Sequence, residues 1–123
     1  MKQATDIRRR LGDQGESCAA DHLTRLGFEI VARQYRTRFG ELDLIAFDGT
    51  TLVFCEVKTR RSAGRHWDSL GPRKQQQVRR MAAAYLAEAA GRPRAREIRF
   101  DAIAVTIDAT GRLREIEHLE GAF

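Results

Sequence analysis

The chain has 123 residues, of which 42% are hydrophobic and 32% are charged, and its formal net charge is +5. This length suits one domain, and the composition excludes a disordered or membrane-spanning chain. The N-terminal segment has no apolar stretch after its basic residues, so we expect neither a secretory signal nor a membrane anchor. We therefore predict a cytoplasmic protein with a single domain over residues 1–123.

The basic excess comes almost entirely from arginine, because Lys2, Lys58 and Lys74 are the lysines of the sequence. Arginine makes bidentate contacts with phosphate, so the excess favours a nucleic-acid partner. An ordinary surface from an arginine-rich proteome explains the charge equally well.

Cys18 and Cys55 lack metal-ligand spacing and are predicted to be small apolar residues.

The first half of the chain begins with a predicted helix at residues 11–26, where apolar residues recur at helical spacing before Gly27. Residues 28–32 have the composition of a short strand, and residues 33–40 that of a basic connection. Two strand-like runs follow at residues 41–47 and 51–58. The Asp48-Gly49 step between these runs is a strong hairpin signal, so the two strands should be antiparallel neighbours.

The second half begins with a predicted loop at residues 60–72, which contains His66 and Trp67. A second helix is predicted at residues 73–90 from its apolar face, and a buried strand at residues 98–107 from its β-branched run. A turn at residues 108–111 precedes a tail whose pattern is weak. These elements predict one α/β unit.

Asp43 and Glu56 are acidic residues within apolar runs, and Lys58 follows Glu56 two positions later on the same strand face. If the hairpin turns at Asp48-Gly49, the two acids converge from adjacent strands on one divalent ion. Phosphodiester hydrolysis needs a hard cation held by carboxylates, and a lysine beside it orients or deprotonates water. This pattern predicts a catalytic site with Asp43 and Glu56 as metal ligands.

Glu16 shares its helix face with apolar residues and is predicted to point inward, as a third acid ligand or a partner for Lys58. Alternatively, Asp43, Glu56 and Lys58 are a solvated face of an ordinary hairpin. That interpretation is weakened because Leu52 and Phe54 share the strand face of Glu56. The histidines His22, His66 and His118 are predicted to be surface or capping residues.

Two strings, GELDLIA at residues 40–46 and LVFCEVKTR at residues 52–60, resemble the signature of the YraN-like family of bacterial proteins. The resemblance extends over residues 12–107. It implies a restriction-endonuclease-like PD-(D/E)xK fold, similar to archaeal Holliday junction resolvases, with a central mixed β-sheet flanked by helices. It also places Asp43, Glu56 and Lys58 on the nuclease motif and Glu16 on the acid of the first helix. Gln34 departs from the pattern, because an asparagine is frequent there.

We expect a Mg²⁺- or Mn²⁺-dependent nuclease that acts on DNA rather than RNA, including branched or structured DNA. The alternatives are a non-catalytic nucleic-acid-binding module and a subunit of a DNA repair or processing assembly. A homodimer or a protein partner would suit all three. The residues predicted to contact phosphate are Arg36, Arg38, Arg60, Arg61, Arg65 and Lys74.

Overall fold

The computed structural model of the chain describes residues 4–61 and 70–123. The elements in chain order are α1 (Ala4–Arg25), β1 (Glu29–Thr37), β2 (Gly40–Phe47), β3 (Thr51–Arg60), α2 (Pro72–Glu88), β4 (Glu97–Ile107) and β5 (Leu113–Leu119). Arg65, His66 and Trp67 lie outside the described residues, so the phosphate contact predicted for Arg65 stays a prediction.

The five strands form one mixed sheet in the order β1-β2-β3-β4-β5. The β2–β3 pair is antiparallel, as the hairpin signal predicted, and β1–β2 and β4–β5 are antiparallel as well. Strands β3 and β4 are parallel. Parallel neighbours need a long crossover connection, and α2 lies in that connection. The predicted α/β fold is confirmed, and it is consistent with a restriction-endonuclease-like fold.

Each face of the sheet carries one helix and one hydrophobic cluster. On one face, Leu23 of α1 packs with Leu44, Val53 and Ile103. Cys55 is buried in this cluster and Cys18 is half-buried against it, which fits their predicted apolar role. On the other face, α2 contributes the residues Val78, Met81, Ala82 and Tyr85, which pack against Leu42, Ile45, Leu52 and Phe54.

Three boundaries differ from the sequence prediction. Strand β1 runs to Thr37, so most of the predicted basic connection is strand, and the weakly patterned tail contains β5. Both are edge strands in which many side chains are exposed, so charged residues occur there without the alternation that marks a half-buried strand. Helix α1 begins at Ala4, before the first residue of its apolar face.

Within residues 4–61 and 70–123, no helix combines the length and apolar character needed to cross a bilayer.

Candidate functional site

The candidate site begins where β2 and β3 separate. Their pairing ends at Leu44 and Cys55, although both strands continue. Extending the register by one position would put Asp43 opposite Glu56. Instead of a ladder bond between the strands, the backbone N–H of Val57 donates to Asp43 Oδ2 at 2.8 Å. The carboxyl groups of Asp43 and Glu56 are also within hydrogen-bonding reach of each other. The convergence predicted from the hairpin is therefore observed.

The environment of this carboxyl pair opposes its full ionisation. Burial and then the neighbouring Glu56 carboxyl raise the pKa of Asp43 to about 7, against the Val57 hydrogen bond and the charge of Lys74. Burial also raises the pKa of Glu56, although Lys74, Asp43 and Lys58 act to lower it. Two adjacent half-buried carboxylates repel each other, so an added cation would favour the doubly ionised pair.

Lys74 extends from the first turn of α2 toward the carboxyl pair. Its Nζ lies 3.3 Å from Glu56 Oε1, and about a third of the lysine side chain is exposed (35%). From its sequence, Lys74 is predicted to be a phosphate contact on the second helix. The structure pairs it with a candidate metal ligand, a contact that sequence spacing does not reveal because a crossover connection separates the two residues.

A cleft of about 340 Å³ opens beside Asp43. Glu16, Asp43 and Lys58 all line it, together with Val57 and residues from the N-terminal part of α1. Lys58 is exposed, whereas Glu56 lies against Lys74. The structure thus brings three of the four predicted catalytic residues into one cleft and places the fourth, Glu56, next to Asp43.

Glu16 is held in this cleft by Gln34, a residue that stands out in the sequence only as a departure from a family pattern. Gln34 Nε2 donates to Glu16 Oε2 at 2.7 Å, and the φ of Gln34 is +49°. This left-handed conformation is one that asparagine adopts readily and glutamine less so. The other carboxyl oxygen, Glu16 Oε1, is buried and has no hydrogen-bond partner among the described residues. Burial raises the pKa of Glu16, and the nearby Asp43 acts in the same direction.

The carboxyl oxygens of this site are candidate ligands for a divalent ion. In the described parts of the chain, no group of three or more His, Cys, Asp or Glu residues is arranged to hold a metal ion. The carboxyl pair nevertheless fits Mg²⁺ or Mn²⁺, because such ions prefer oxygen ligands and Mg²⁺ is often bound by one or two carboxylates with several waters. The unpartnered Glu16 Oε1 provides another buried oxygen in the same cleft.

The predicted phosphate-binding arginines lie in two places. Arg36 lies near the end of β1 and Arg38 in the β1–β2 turn. The Arg36 side chain is 84% exposed and 4.0 Å from Glu41. The Arg38 guanidinium lies 4.8 Å from the centre of the Phe39 ring. Both arginines are accessible to a ligand.

Arg60 and Arg61 lie at the end of β3, which by register is the same end of the strands as the β1–β2 turn but nearer the middle of the sheet. The Arg60 side chain is 13% exposed, and its Nε donates to Thr106 Oγ1 at 2.9 Å. It joins β3 to β4 and is poorly placed for a phosphate. Arg61 is exposed, and its Nη1 donates to the Asp108 carbonyl oxygen at 3.1 Å.

A partly buried polar network on the α1 side corrects the prediction for His22 and His118. His118 Nε2 lies 2.7 Å from Asp101 Oδ2, and His22 Nε2 lies 3.0 Å from His118 Nδ1. Arg99 donates two hydrogen bonds to the carboxylate of Asp101, which is fully buried. These residues come from α1, β4 and β5, so no local sequence pattern indicates that they meet. Burial lowers the pKa of His22, and the proximity of His118 and Arg25 adds to that effect.

Comparison with known proteins places the chain among bacterial relatives. A model of the uncharacterised protein family UPF0102 matches residues 15–105. The chain is 46% identical to a UPF0102 protein of Parafrankia sp. (strain EAN1pec), over 95% of this chain and 98% of that protein. It is 43% identical to one from Acidothermus cellulolyticus over the full length of both, and 47% identical to one from Chlorobaculum tepidum over 92% and 91%. The names of these relatives state no activity.

Proposed function

The chain belongs to the uncharacterised protein family UPF0102, which is the YraN family that its motifs resemble, and we propose from the geometry of its site that it is a metal-dependent nuclease acting on DNA. Branched or otherwise structured DNA is the substrate that we favour. The proposal rests chiefly on one observation, the adjacent carboxyls of Asp43 and Glu56 where β2 and β3 separate. Placing two acids together in a half-buried position costs free energy, and such costs are concentrated at functional sites.

Asp43 and Glu56 would hold Mg²⁺ or Mn²⁺, and Glu16 would assist through its unpartnered oxygen. When bound, such an ion supplies the positive charge that polarises a phosphate oxygen and acidifies a water. The Val57 N–H fixes Asp43, and Gln34 fixes Glu16. Asp43 and Glu16 are therefore each oriented by a neighbouring group before any substrate arrives.

Lys58 would act directly on the reacting groups, because its exposed side chain lines the cleft that Asp43 also lines. An ammonium group at that place orients the attacking water and offsets charge that develops on the phosphate oxygens. Lys74 has a supporting role in this scheme, since its contact with Glu56 favours the ionised carboxylate.

The test is a cleavage assay on single-stranded, duplex, flap and four-way-junction DNA with Mg²⁺, Mn²⁺ or EDTA. We expect metal-dependent cutting that is lost in Asp43→Asn and Glu56→Gln, and that falls about 100-fold or more in Lys58→Ala. Glu29→Gln is the matched control, because Glu29 is an exposed carboxylate on β1, at the end of the β1–β2 pairing away from Asp43. Equal cutting by Asp43→Asn and the wild type would refute the proposal.

A second candidate is a nucleic-acid-binding module without catalysis, and the Lys74–Glu56 ion pair favours it. A lysine that neutralises Glu56 makes the acid structural and removes the need for a metal ion. This module would bind DNA equally well in EDTA and cut none of the four substrates. A protein with neither activity would point to the third candidate, a subunit that needs a protein partner. The cytoplasmic location and a homodimer stay predictions.

A further inference from the structure

We propose that a groove next to the acidic cleft binds a backbone phosphate of the polynucleotide whose neighbouring phosphodiester occupies the cleft. The inference rests on the proposed function, because it takes a polynucleotide as the partner of that cleft. The groove has a volume of about 290 Å³ and lies between α1 and the β4–β5 turn. Its lining includes Arg10, Leu11, Gln14, Arg61, Thr110 and Gly111, and we call it the arginine groove.

The position of the arginine groove follows from a close contact between α1 and β3. Gly15 packs so tightly on Thr59 that a Cβ atom at Gly15 would overlap the Thr59 hydroxyl. Arg10 lies little more than one helical turn before Gly15, and Arg61 lies two residues after Thr59. The contact therefore brings two arginines from distant parts of the sequence to one groove.

The far wall of the arginine groove is the β4–β5 turn, which α1 holds in place. Gln14 Nε2 donates to the Gly111 carbonyl oxygen at 2.5 Å. Arg61 donates to the Asp108 carbonyl oxygen at 3.1 Å, which orients its guanidinium at the rim. Because this acceptor is a neutral carbonyl, the positive charge of Arg61 is not cancelled by the contact.

The charge inside the arginine groove is positive. None of the described residues that line it is Asp or Glu. Asp108, the acid of the neighbouring turn, accepts hydrogen bonds from Thr110, from the Arg112 N–H and from Arg114 Nε at 2.8 Å. Its carboxylate is thus satisfied within the turn and its charge is offset by Arg114. Two guanidinium groups in such a place suit a phosphate, whose oxygens match their paired donors.

The arginine groove adjoins the acidic cleft along α1. Leu11 lines both depressions. The cleft is lined by Arg8, Gly12 and Glu16, which repeat every four residues, and the groove by Arg10 and Gln14. These two sets flank the stripe of α1 that holds Leu11 and Gly15. A strand whose phosphodiester lies at Lys58 and Asp43 would reach the two arginines by crossing this stripe at Leu11, N-terminal to the Gly15 contact.

The test measures binding separately from cleavage, by fluorescence anisotropy of a fluorescein-labelled short DNA duplex in EDTA at several salt concentrations. We expect the Arg10→Gln, Arg61→Gln double variant to bind about 10-fold or more weakly, and the dependence of log Kd on log salt concentration to lose about one unit of slope per phosphate contact removed. Arg94→Gln is the control of matched chemistry, because Arg94 is exposed in the connection before β4, at the opposite end of that strand from Thr106. Changing both groove arginines to lysine should give an intermediate affinity, since charge is kept but the paired donors are lost.

The outcomes separate the groove from the proposed nuclease activity. Binding by the double variant equal to that of Arg94→Gln overturns the groove, even if Asp43→Asn abolishes cleavage. Weakened binding by the double variant, with no cleavage by the wild type under any metal, upholds the groove and overturns the nuclease. A wild-type protein that binds no polynucleotide overturns the groove as well. A Tm equal to that of the wild type shows, for each variant, that a loss of binding is not a loss of fold.

Discussion

Asp43, which is half-buried, and Asp101, which is fully buried, differ in how the sheet satisfies their carboxyl groups. Burial acts to raise the pKa of Asp101, but hydrogen bonds from His118, Arg99 and the Gly121 N–H outweigh it and lower that pKa. Burial also acts on Asp43, where one N–H donor and a more distant lysine do not compensate, and its pKa is raised. Asp101 is therefore a structural charge, whereas Asp43 has the unsatisfied character expected of a site that takes a cation.

Replacing Asp101 should destabilise the protein in a pH-dependent way. We expect Asp101→Ala to lower the free energy of unfolding by about 3 kcal/mol at pH 7, because it leaves Arg99 and His118 without their buried partner. The pKa of Asp101 is lowered on folding, so its contribution is present above the unfolded value near 4 and is lost as the pH falls below it. Urea unfolding at pH 7 and pH 3 measures this. A difference between variant and wild type that is as large at pH 3 would contradict the assignment.

Asp43→Asn should stabilise the protein, in contrast to Asp101→Ala, when EDTA is present to exclude metal ions. The pKa of Asp43, about 7 in the folded protein, lies above its value in the unfolded chain. Ionisation of Asp43 therefore lowers the free energy of unfolding as the pH rises from the unfolded value to the folded one. Asparagine keeps an acceptor for the Val57 N–H but carries no charge. We expect a gain of about 1 kcal/mol at pH 8, or roughly 3–6 °C in Tm, that disappears near pH 4. Asp21→Asn, at an exposed position of α1, is the control, and an equal gain there would contradict the explanation.

At the scale of elements, the sequence predicted those strands and helices whose signals are local. The β2–β3 hairpin was predicted because Asp48-Gly49 and the apolar runs around it are adjacent in sequence. Helices α1 and α2 were predicted from one apolar face each. Most of β1 and all of β5 were missed because an edge strand meets a neighbour on one side only, so its polar side chains stay in solvent. No short window of sequence records which strand they pair with.

The packing of α1 on β3 gives an element-scale prediction. Alanine is a better helix former than glycine by about 1 kcal/mol, yet we expect Gly15→Ala to destabilise the protein by about 2 kcal/mol or more, because its methyl group would overlap Thr59. Gly12→Ala, one turn earlier in α1, has nothing within 4 Å of the added atom and should be neutral or stabilising. Chemical denaturation of both variants tests this. A loss of stability in both, or in neither, would show that the close contact does not control the position of α1.

For the whole molecule, the part of the site that was predictable is the part built from one hairpin. Asp43, Glu56 and Lys58 lie within 16 consecutive residues, so strand alternation was enough to bring them together. Lys74 and Gln34 reach the site from a helix across a crossover and from an edge strand, and the arginine groove combines α1 with two other elements. Such contacts depend on the assembled sheet. The sequence therefore predicted the candidate reacting groups but not the side chains that orient them.

The outer strands of the sheet have a consequence for how molecules of this protein behave toward one another. An open sheet leaves unpaired backbone donors and acceptors along its two margins, which can template the addition of a strand from another chain. Strand β1 carries exposed Arg33 and Arg36, and β5 carries exposed Arg114 and Glu115. Charges along a margin oppose such addition, since a second backbone would have to approach through them. The same polar residues that concealed these strands in the sequence thus act against aggregation of the folded protein.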